Sequence, residues 1–365
     1  MYLLIKPASG ACNLRCRYCF YADEMKCRDE AVRPFMTAEC FENAVSKAYK
    51  HIALTGDRSL SVGFQGGEPT LAGLGFFRKA VEYAERTRPE GVSLNWFIQT
   101  NGTLIDEEWA AFLAEKKFLC GLSFDGFPEV HDKNRVGRDG RGTSKEVLRA
   151  AKILNGAGAE FNILTVLTGE AARSPRKIWS FCEKNGFAWQ QYIPCIAPLG
   201  GEDGPWTLGS ERYGDFLCGL FDLWYESIAS GRPVYNREFE NWTGIIAGIE
   251  PEDCGMRGVC SPQYLIESDG SVYPCDFYAL DDFRLGNVMT DSFEDIDKAR
   301  AESGFIEESR RKADACEKCE WYFLCRGGCR RNRDEDGLNR FCEGYKKFFG
   351  YAYPRMKKLA QRIGK

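Results

Sequence analysis

Cys12-Asn-Leu-Arg-Cys16-Arg-Tyr18-Cys19 places three cysteines within eight residues, directly after the apolar run Tyr2-Leu-Leu-Ile5. A short apolar run rich in β-formers predicts a strand, so the thiols fall in the loop at its C-terminal end. Three thiolates this close can wrap one compact centre, and soft sulfur donors select zinc or an iron–sulfur cluster. A closed structural zinc site wants a fourth ligand, for which Cys27 is the nearest cysteine. Three ligands on a four-iron cube would leave one iron open to hold a substrate. Outward from this loop, β-rich runs at 2–5, 60–64, 94–98, 118–124, 160–166 and 189–193 alternate with helical patterns at about 37–52, 74–87, 106–117, 144–156, 175–185 and 210–230. Asp106 and the Ser174-Pro175 pair read as helix starts. Repeated strand–helix units imply parallel strands with right-handed crossovers. Six units are too few to close an eight-stranded barrel. The expected fold is therefore α/β, an open partial (β/α)6 barrel with its site at the strand C-terminal ends.

A chain of 365 residues should hold one large domain and one smaller one. Its 49 basic and 53 acidic residues give a net charge of −4 with no long run of one sign, which argues against nucleic-acid binding. A local basic patch at Arg326, Arg330, Arg331 and Arg333 is the one exception. His51 and His131 are the only histidines, which nearly excludes Ser–His or Cys–His catalysis and His-rich zinc sites. The N-terminus has no basic n-region, and the longest charge-free run, 187–201, contains two Gln and two Pro. No signal peptide or membrane span is expected. The chain should be soluble and cytoplasmic, where clustered cysteines bind metal more often than they pair.

Beyond about residue 235 the texture changes. Strands shrink to one hairpin, 264–267 and 271–273 around Asp269-Gly270, and a last helix at about 343–363 is followed by Lys365. The expected domains are 1–235 and a small, loop-rich, cysteine-rich 236–365. Eight cysteines lie there: Cys254, Cys260, Cys275, Cys316, Cys319, Cys325, Cys329 and Cys342. They suffice for two fully ligated clusters, or for a pair of zinc ribbons. Metal ligation would also stabilise a segment with so little regular apolar pattern. Of the remaining cysteines, 27, 40, 120, 182, 195 and 218, most sit in apolar patterns and read as small core residues.

The cysteine loop resembles that of the radical S-adenosylmethionine enzymes, with the aromatic Tyr18 before the last cysteine. Gly66-Gly67-Glu68-Pro69, after the second strand, resembles the family motif that contacts the methionine amino group. The later cysteines are similar to the SPASM domain, which carries two auxiliary [4Fe–4S] clusters. That resemblance assigns Cys254, Cys260, Cys275 and Cys329 to one cluster and Cys316, Cys319, Cys325 and Cys342 to the other, making three with Cys12, Cys16 and Cys19. The strings Gln65-Gly-Gly-Glu-Pro-Thr-Leu-Ala-Gly73, Gln99-Thr-Asn-Gly-Thr-Leu-Ile-Asp106, Gly270-Ser-Val-Tyr-Pro-Cys-Asp-Phe-Tyr278 and Cys329-Arg-Arg resemble the anaerobic sulfatase-maturating enzymes.

In that family the Asp after the hairpin cysteine is the general base, a role carried over to Asp276. S-adenosylmethionine contacts carried over in the same way are Gln65, Gly66, Gly67, Glu68, Ser123, Arg135 and Ile196, with Tyr21 beside the adenine. The implied activity is 5′-deoxyadenosyl-radical hydrogen abstraction at Cβ of a Cys or Ser in a sulfatase Cys/Ser-x-Pro-x-Arg motif, giving Cα-formylglycine. The implied partners are an unfolded sulfatase or peptide substrate and a flavodoxin or ferredoxin electron donor, with no nucleic acid, no membrane, and a monomer as the expected state. The first strand begins at residue 2, so no N-terminal leader-binding module is expected. Two alternatives stand beside this: a SPASM maturase of a ribosomal peptide, forming a thioether or carbon–carbon crosslink or an epimer, and a non-catalytic zinc-binding interaction module.

Overall fold

The computed structural model describes residues 1–30, 33–199 and 201–363, so Lys365 lies outside the described residues. These residues form two compact units interleaved along the chain, Met1–Ser123 with Asp132–Phe161 and Pro262–Gly304, and Phe124–His131 with Asn162–Ser261 and Phe305–Lys365. The expected division at residue 235 is not where the contacts divide.

In the first unit the strands are β1 (Tyr2–Ile5), β2 (Ser59–Phe64), β3 (Ser93–Thr100) and β4 (Phe118–Ser123). They pair in parallel with Tyr2 opposite Ser61, Ser59 opposite Ser93 and Trp96 opposite Phe118. Leu3, Ile5, Leu60 and Val62 are fully buried, each contributing on the order of 1.5–3 kcal/mol of transfer free energy. The helices Ala38–Thr55, Leu74–Thr87, Glu107–Glu115 and Ser144–Ala157 supply the crossovers. Their starts follow local chemistry: the Thr37 side chain accepts from the Cys40 amide, and Asp106 accepts from the Trp109 amide at 2.9 Å. Aromatic rings fill the layer between sheet and helices, with Phe64 4.7 Å from Phe77 and Phe77 5.0 Å from Trp109 between centroids.

The unexpected feature is how late in the chain the first unit gains its last strands. In the second unit come β5 (Phe161–Leu167, whose first residue belongs to the first unit), β6 (Trp189–Pro194) and β7 (Tyr235–Asn236). Then β8 (Tyr264–Ile266), β9 (Ser271–Tyr273) and β10 (Gly286–Asn287) return to the first unit. β8 pairs in parallel with β1, Leu3 opposite Tyr264, and β9 and β10 follow antiparallel. The predicted hairpin therefore extends the barrel strands instead of opening a separate domain. Its turn needs Gly270, which sits at φ 85°, in the left-handed region that glycine enters without steric cost.

In the second unit β5, β6 and β7 are parallel, with Ile163 opposite Gln190 and Trp189 opposite Tyr235. Pro175 opens the helix Pro175–Asn185 as expected, but the Ser174 side chain makes no capping hydrogen bond. Helices Ser210–Ala229, Arg237–Ile246 and Cys342–Ile363 pack around Phe221, Trp224, Phe239, Trp242 and Phe348. The first and last of these cross at paired glycines: a Cβ on Gly344 would lie 2.2 Å from the Ser210 carbonyl oxygen.

Glu238 is buried in this unit. Its Oε1 accepts the Tyr192 amide at 3.1 Å, and its Oε2 has no partner among the described residues. Burial pushes its carboxyl up to about 8, against the pull of the backbone amides and of Arg237. The folded state thus holds a proton that the unfolded chain releases near pH 4.5, and stability falls as pH rises from there to about 8. At about 1.4 kcal/mol per pH unit the loss reaches several kcal/mol. A Glu238→Gln protein should therefore melt higher than wild type at pH 8 and close to it at pH 5, both measured anaerobically on iron-loaded protein.

Candidate active site

The cysteine loop is pinned at both ends. The Gly67 amide donates to the Ser9 carbonyl at 2.7 Å and the Glu68 amide to that of Ala11 at 2.8 Å. Downstream, the Arg15 amide reaches the Val136 carbonyl at 2.8 Å and the Arg17 amide that of Asn134 at 3.0 Å. The glycines are required by contact: a Cβ on Gly67 would lie 2.1 Å from the Ala11 carbonyl oxygen, and Gly66 has φ 129°. Cys12, Cys16 and Cys19 are all partly exposed. The Cys12 sulfur accepts from the Leu14 amide at 3.3 Å and from Asn101 Nδ2 at 3.9 Å. Burial pushes its thiol up to about 11, so a bound metal must supply the positive charge that deprotonates it.

Glu68 is 1 % exposed and fully engaged within the chain. Its Oε1 accepts from the Thr70 amide at 3.1 Å, Thr70 Oγ1 at 2.6 Å and Thr100 Oγ1 at 2.7 Å, and Oε2 from the Asn101 amide at 2.7 Å. Burial raises its carboxyl against those hydrogen bonds. Gln65 closes β2, its amide on the Ile5 carbonyl at 2.9 Å and its Nε2 on Gln99 Oε1 at 3.1 Å. Ser123 is buried at the end of β4, and the Arg135 guanidinium lies 5.6 Å from the Tyr18 ring centroid. Ile196 is half-buried after β6, in the second unit.

Asp276 follows β9 and Cys275. Its Oδ1 accepts a 2.6 Å hydrogen bond from Lys6 Nζ, and its side chain is 16 % exposed against 0 % for Lys6. Beneath that ammonium, at 3.5 Å, lies the ring of Tyr21. The Tyr21 hydroxyl donates to Glu267, which also accepts from Arg28 at 2.9 Å. Burial opposes ionisation of Glu267, but Lys6 and Arg28 outweigh it and hold its carboxyl below the usual range. Tyr21, expected beside an adenine, is 2 % exposed and belongs to this ionic network.

The later cysteines gather in the second unit. Burial pushes the Cys325 thiol up to about 12, with Cys342, Cys316 and Cys319 near enough to add to the shift. The same holds at about 12 for Cys329, beside Cys254 and Cys260. Between Cys325 and Cys329 the chain passes through three left-handed residues, Arg326, Gly327 and Gly328 at φ 49°, 82° and 67°, which sends the two cysteines to different groups. Cys275 belongs to the first unit. Among the described residues no three His, Cys, Asp or Glu side chains are close enough to hold a single metal ion. The donor set these cysteines offer is all sulfur, the soft chemistry that iron–sulfur clusters take.

The expected basic patch is spent on partners within the chain, two of them through surface ion pairs. Arg326 pairs with Glu250 and Arg330 with Glu308. Arg331 donates to the Ala197 carbonyl at 2.6 Å. Arg333 donates from Nε to Gly327, from one terminal nitrogen to Ser309 and Arg311, and from the other to Gly258 and Gly328, all backbone carbonyls.

A family model for the radical SAM superfamily matches residues 7–181, and one for an iron–sulfur cluster-binding domain, SPASM, matches residues 256–320. A cysteine-type anaerobic sulfatase-maturating enzyme of Clostridium perfringens is 43 % identical, across 99 % of this chain and 98 % of that one. This chain belongs to the anaerobic sulfatase-maturating enzyme family. It is a radical SAM enzyme, as its α/β fold and cysteine motifs implied. A solved structure of native anSMEcpe with bound AdoMet and Cp18Cys peptide superposes with a TM-score of 0.92 at 42 % identity, covering 99 % of both chains. A serine-type enzyme of Bacteroides thetaiotaomicron is 26 % identical, across 100 % of this chain and 92 % of its own. No helix among the described residues is long and apolar enough to cross a membrane.

Lys6, Asn101 and Arg333 escaped the sequence reading. Lys6 had one signal, a cation closing a run of apolar strand residues. Asn101 had its place between the Gln99 and Asp106 ends of a recognisable string. For Arg333 the local sequence offers only a basic cluster, which reads as surface.

Proposed function

We propose that this chain is a cysteine-type sulfatase maturase that oxidises the cysteine of a Cys-x-Pro-x-Arg motif to formylglycine. What supports the cysteine preference is the 43 % identity to a cysteine-type enzyme against 26 % to a serine-type one. The observation that carries the chemistry is a partly exposed carboxylate, Asp276, held by a fully buried lysine in the same compact unit as the Cys12–Cys19 loop.

Cys12, Cys16 and Cys19 would hold the cluster that binds S-adenosylmethionine. Gln65, Gly66, Gly67, Glu68, Ser123, Arg135 and Ile196 would line the cofactor, and we leave Tyr21 out because Lys6 covers its ring. Glu68 would act chiefly through the turn it braces, since each of its oxygens is already engaged. Cys254, Cys260, Cys275 and Cys329 would hold one auxiliary cluster, and Cys316, Cys319, Cys325 and Cys342 the other. When bound, these groups supply hydrogen-atom abstraction by a 5′-deoxyadenosyl radical and a sink for one electron. Asp276 takes the thiol proton, the step that needs a carboxylate within hydrogen-bond reach of the substrate sulfur. The thioaldehyde so formed takes up water and releases hydrogen sulfide, leaving formylglycine. A flavodoxin or ferredoxin donor, a monomeric enzyme and an anaerobic cytoplasm complete the proposal.

The test is anaerobic incubation of reconstituted protein with reductant, S-adenosylmethionine and peptides containing Cys-x-Pro-x-Arg or Ser-x-Pro-x-Arg. Mass spectrometry should find the aldehyde in the cysteine peptide at a higher rate than in the serine one. Formation of 5′-deoxyadenosine with both peptides untouched would refute the client and leave the radical chemistry standing.

A further inference from the structure

We propose that Lys6 is a positioning residue for Asp276, fixing which carboxylate oxygen faces the substrate thiol. This rests on Asp276 being the proton acceptor. Lysine is almost never fully buried without a partner, and here Lys6 is 0 % exposed and has one at 2.6 Å. Its placement is over-determined. The Lys6 amide donates to the Ile266 carbonyl at 2.9 Å, and its own carbonyl accepts the Ser9 amide at 3.0 Å, so its backbone is tied to β8 and to the approach of the cysteine loop. The ammonium sits 3.5 Å over the Tyr21 ring, a cation–π contact, and that ring is fixed in turn by Glu267 and Arg28. A lysine at the surface would offer three donors on a swinging stem. This one offers a donor in one direction.

The consequence lies on the carboxylate. With Oδ1 taken by Lys6, Oδ2 is the oxygen left for substrate, on a side chain that keeps 16 % of its surface open. During oxidation the substrate CH2–SH becomes CH=S. The Cβ–H bond breaks homolytically and the hydrogen atom goes to the deoxyadenosyl carbon. The S–H bond breaks heterolytically, its proton going to Asp276 Oδ2, and one electron passes to the auxiliary sink. Lys6 holds Oδ2 where the S–H bond can reach it.

The experiment compares wild type, Lys6→Met and Asp276→Asn as anaerobic holoenzymes with the Cys-x-Pro-x-Arg peptide, reading formylglycine per 5′-deoxyadenosine, peptide KM and iron content. A crystal structure of Lys6→Met supplies the Asp276 position without reference to activity. The expected result is a fall of fivefold or more in formylglycine per 5′-deoxyadenosine, KM within about twofold, and the Asp276 carboxylate displaced. A smaller fall overturns the proposal, even if the protein melts at a lower temperature, because that is what a purely structural ion pair would give. If Lys6→Met does not retain its iron, Lys6→Arg decides. A carboxylate in place with coupling kept, or displaced with coupling lost, supports the role, and either mismatch overturns it. Asp276→Asn separates the two levels. If it couples like wild type, the acceptor assignment fails and takes the Lys6 role with it. If it is uncoupled while Lys6→Met is normal, only the Lys6 role fails.

Discussion

An Asp276→Asn protein should cleave S-adenosylmethionine at close to the wild-type rate yet make roughly 10²- to 10⁴-fold less formylglycine, the usual worth of a positioned general base. The substitution is nearly isosteric. Its amide oxygen can still accept from Lys6 at the place where Oδ1 now sits, 2.6 Å away. The packing around it does not depend on the charge: the Phe277 ring lies tilted against Phe20 at 4.7 Å between centroids, and Tyr278 is buried against Phe283. What is lost is the second oxygen as a base. The radical step should therefore proceed and abort, with 5′-deoxyadenosine accumulating beyond product. The ratio of the two products, taken at matched iron per chain, is the measurement, since it does not depend on how much of the S-adenosylmethionine-binding cluster each preparation carries. A ratio equal to wild type would mean that the thiol proton leaves by water or another group, and Asp276 would be left as the anion that keeps Lys6 buried.

Most of the barrel was legible because its signals are local. Apolar runs with β-formers located six strands, and the helices 74–87 and 175–185 fall where periodicity and Pro175 put them. The three thiols at 12, 16 and 19 and the Gly66-Gly67 turn could be read for the same reason: each is a spacing within one loop. What stayed hidden depends on distant partners. β8 is three residues long, and nothing in Tyr264–Ile266 says that it will pair with β1, more than 250 positions earlier. That pairing goes with the hairpin, Cys275 and Asp276 lying in the first unit by contact. The same holds for side chains. Whether an arginine in a basic cluster pairs at the surface or folds back on carbonyls is set by tertiary structure: Arg326 and Arg330 each split between an exposed glutamate and a backbone carbonyl, while Arg331 and Arg333 turn onto carbonyls.

Arg333 carries the second large effect. Its five N–H donors reach five backbone carbonyls, those of Gly258, Ser309, Arg311, Gly327 and Gly328, which fills the hydrogen-bonding capacity of a guanidinium. Gly327 and Gly328 lie between Cys325 and Cys329, and Gly258 between Cys254 and Cys260, so one side chain ties together loops bearing cysteines of both groups. The segment it braces has little else: a four-residue helix at Tyr322–Cys325, short 3-10 turns, and few fully buried side chains apart from Leu324 and Phe341. An Arg333→Met protein should lose roughly 3 kcal/mol or more of stability, the low end for two charge-assisted hydrogen bonds, with the freed carbonyls adding to it. Lysine cannot replace it, because three donors on one nitrogen do not span carbonyls on three sides. Arg333→Lys should therefore resemble Arg333→Met. Iron per chain and anaerobic melting temperature are the measurements, and both should fall in each variant. The Cys12–Cys19 loop, braced by Gly67, Glu68, Val136 and Asn134 in the other unit, should keep its cluster, so the iron lost should stay at or below about two thirds of the total. If Arg333→Lys keeps full iron and melts like wild type, the carbonyls are held by the cysteines themselves, and the arginine is only a counter-charge to the thiolates.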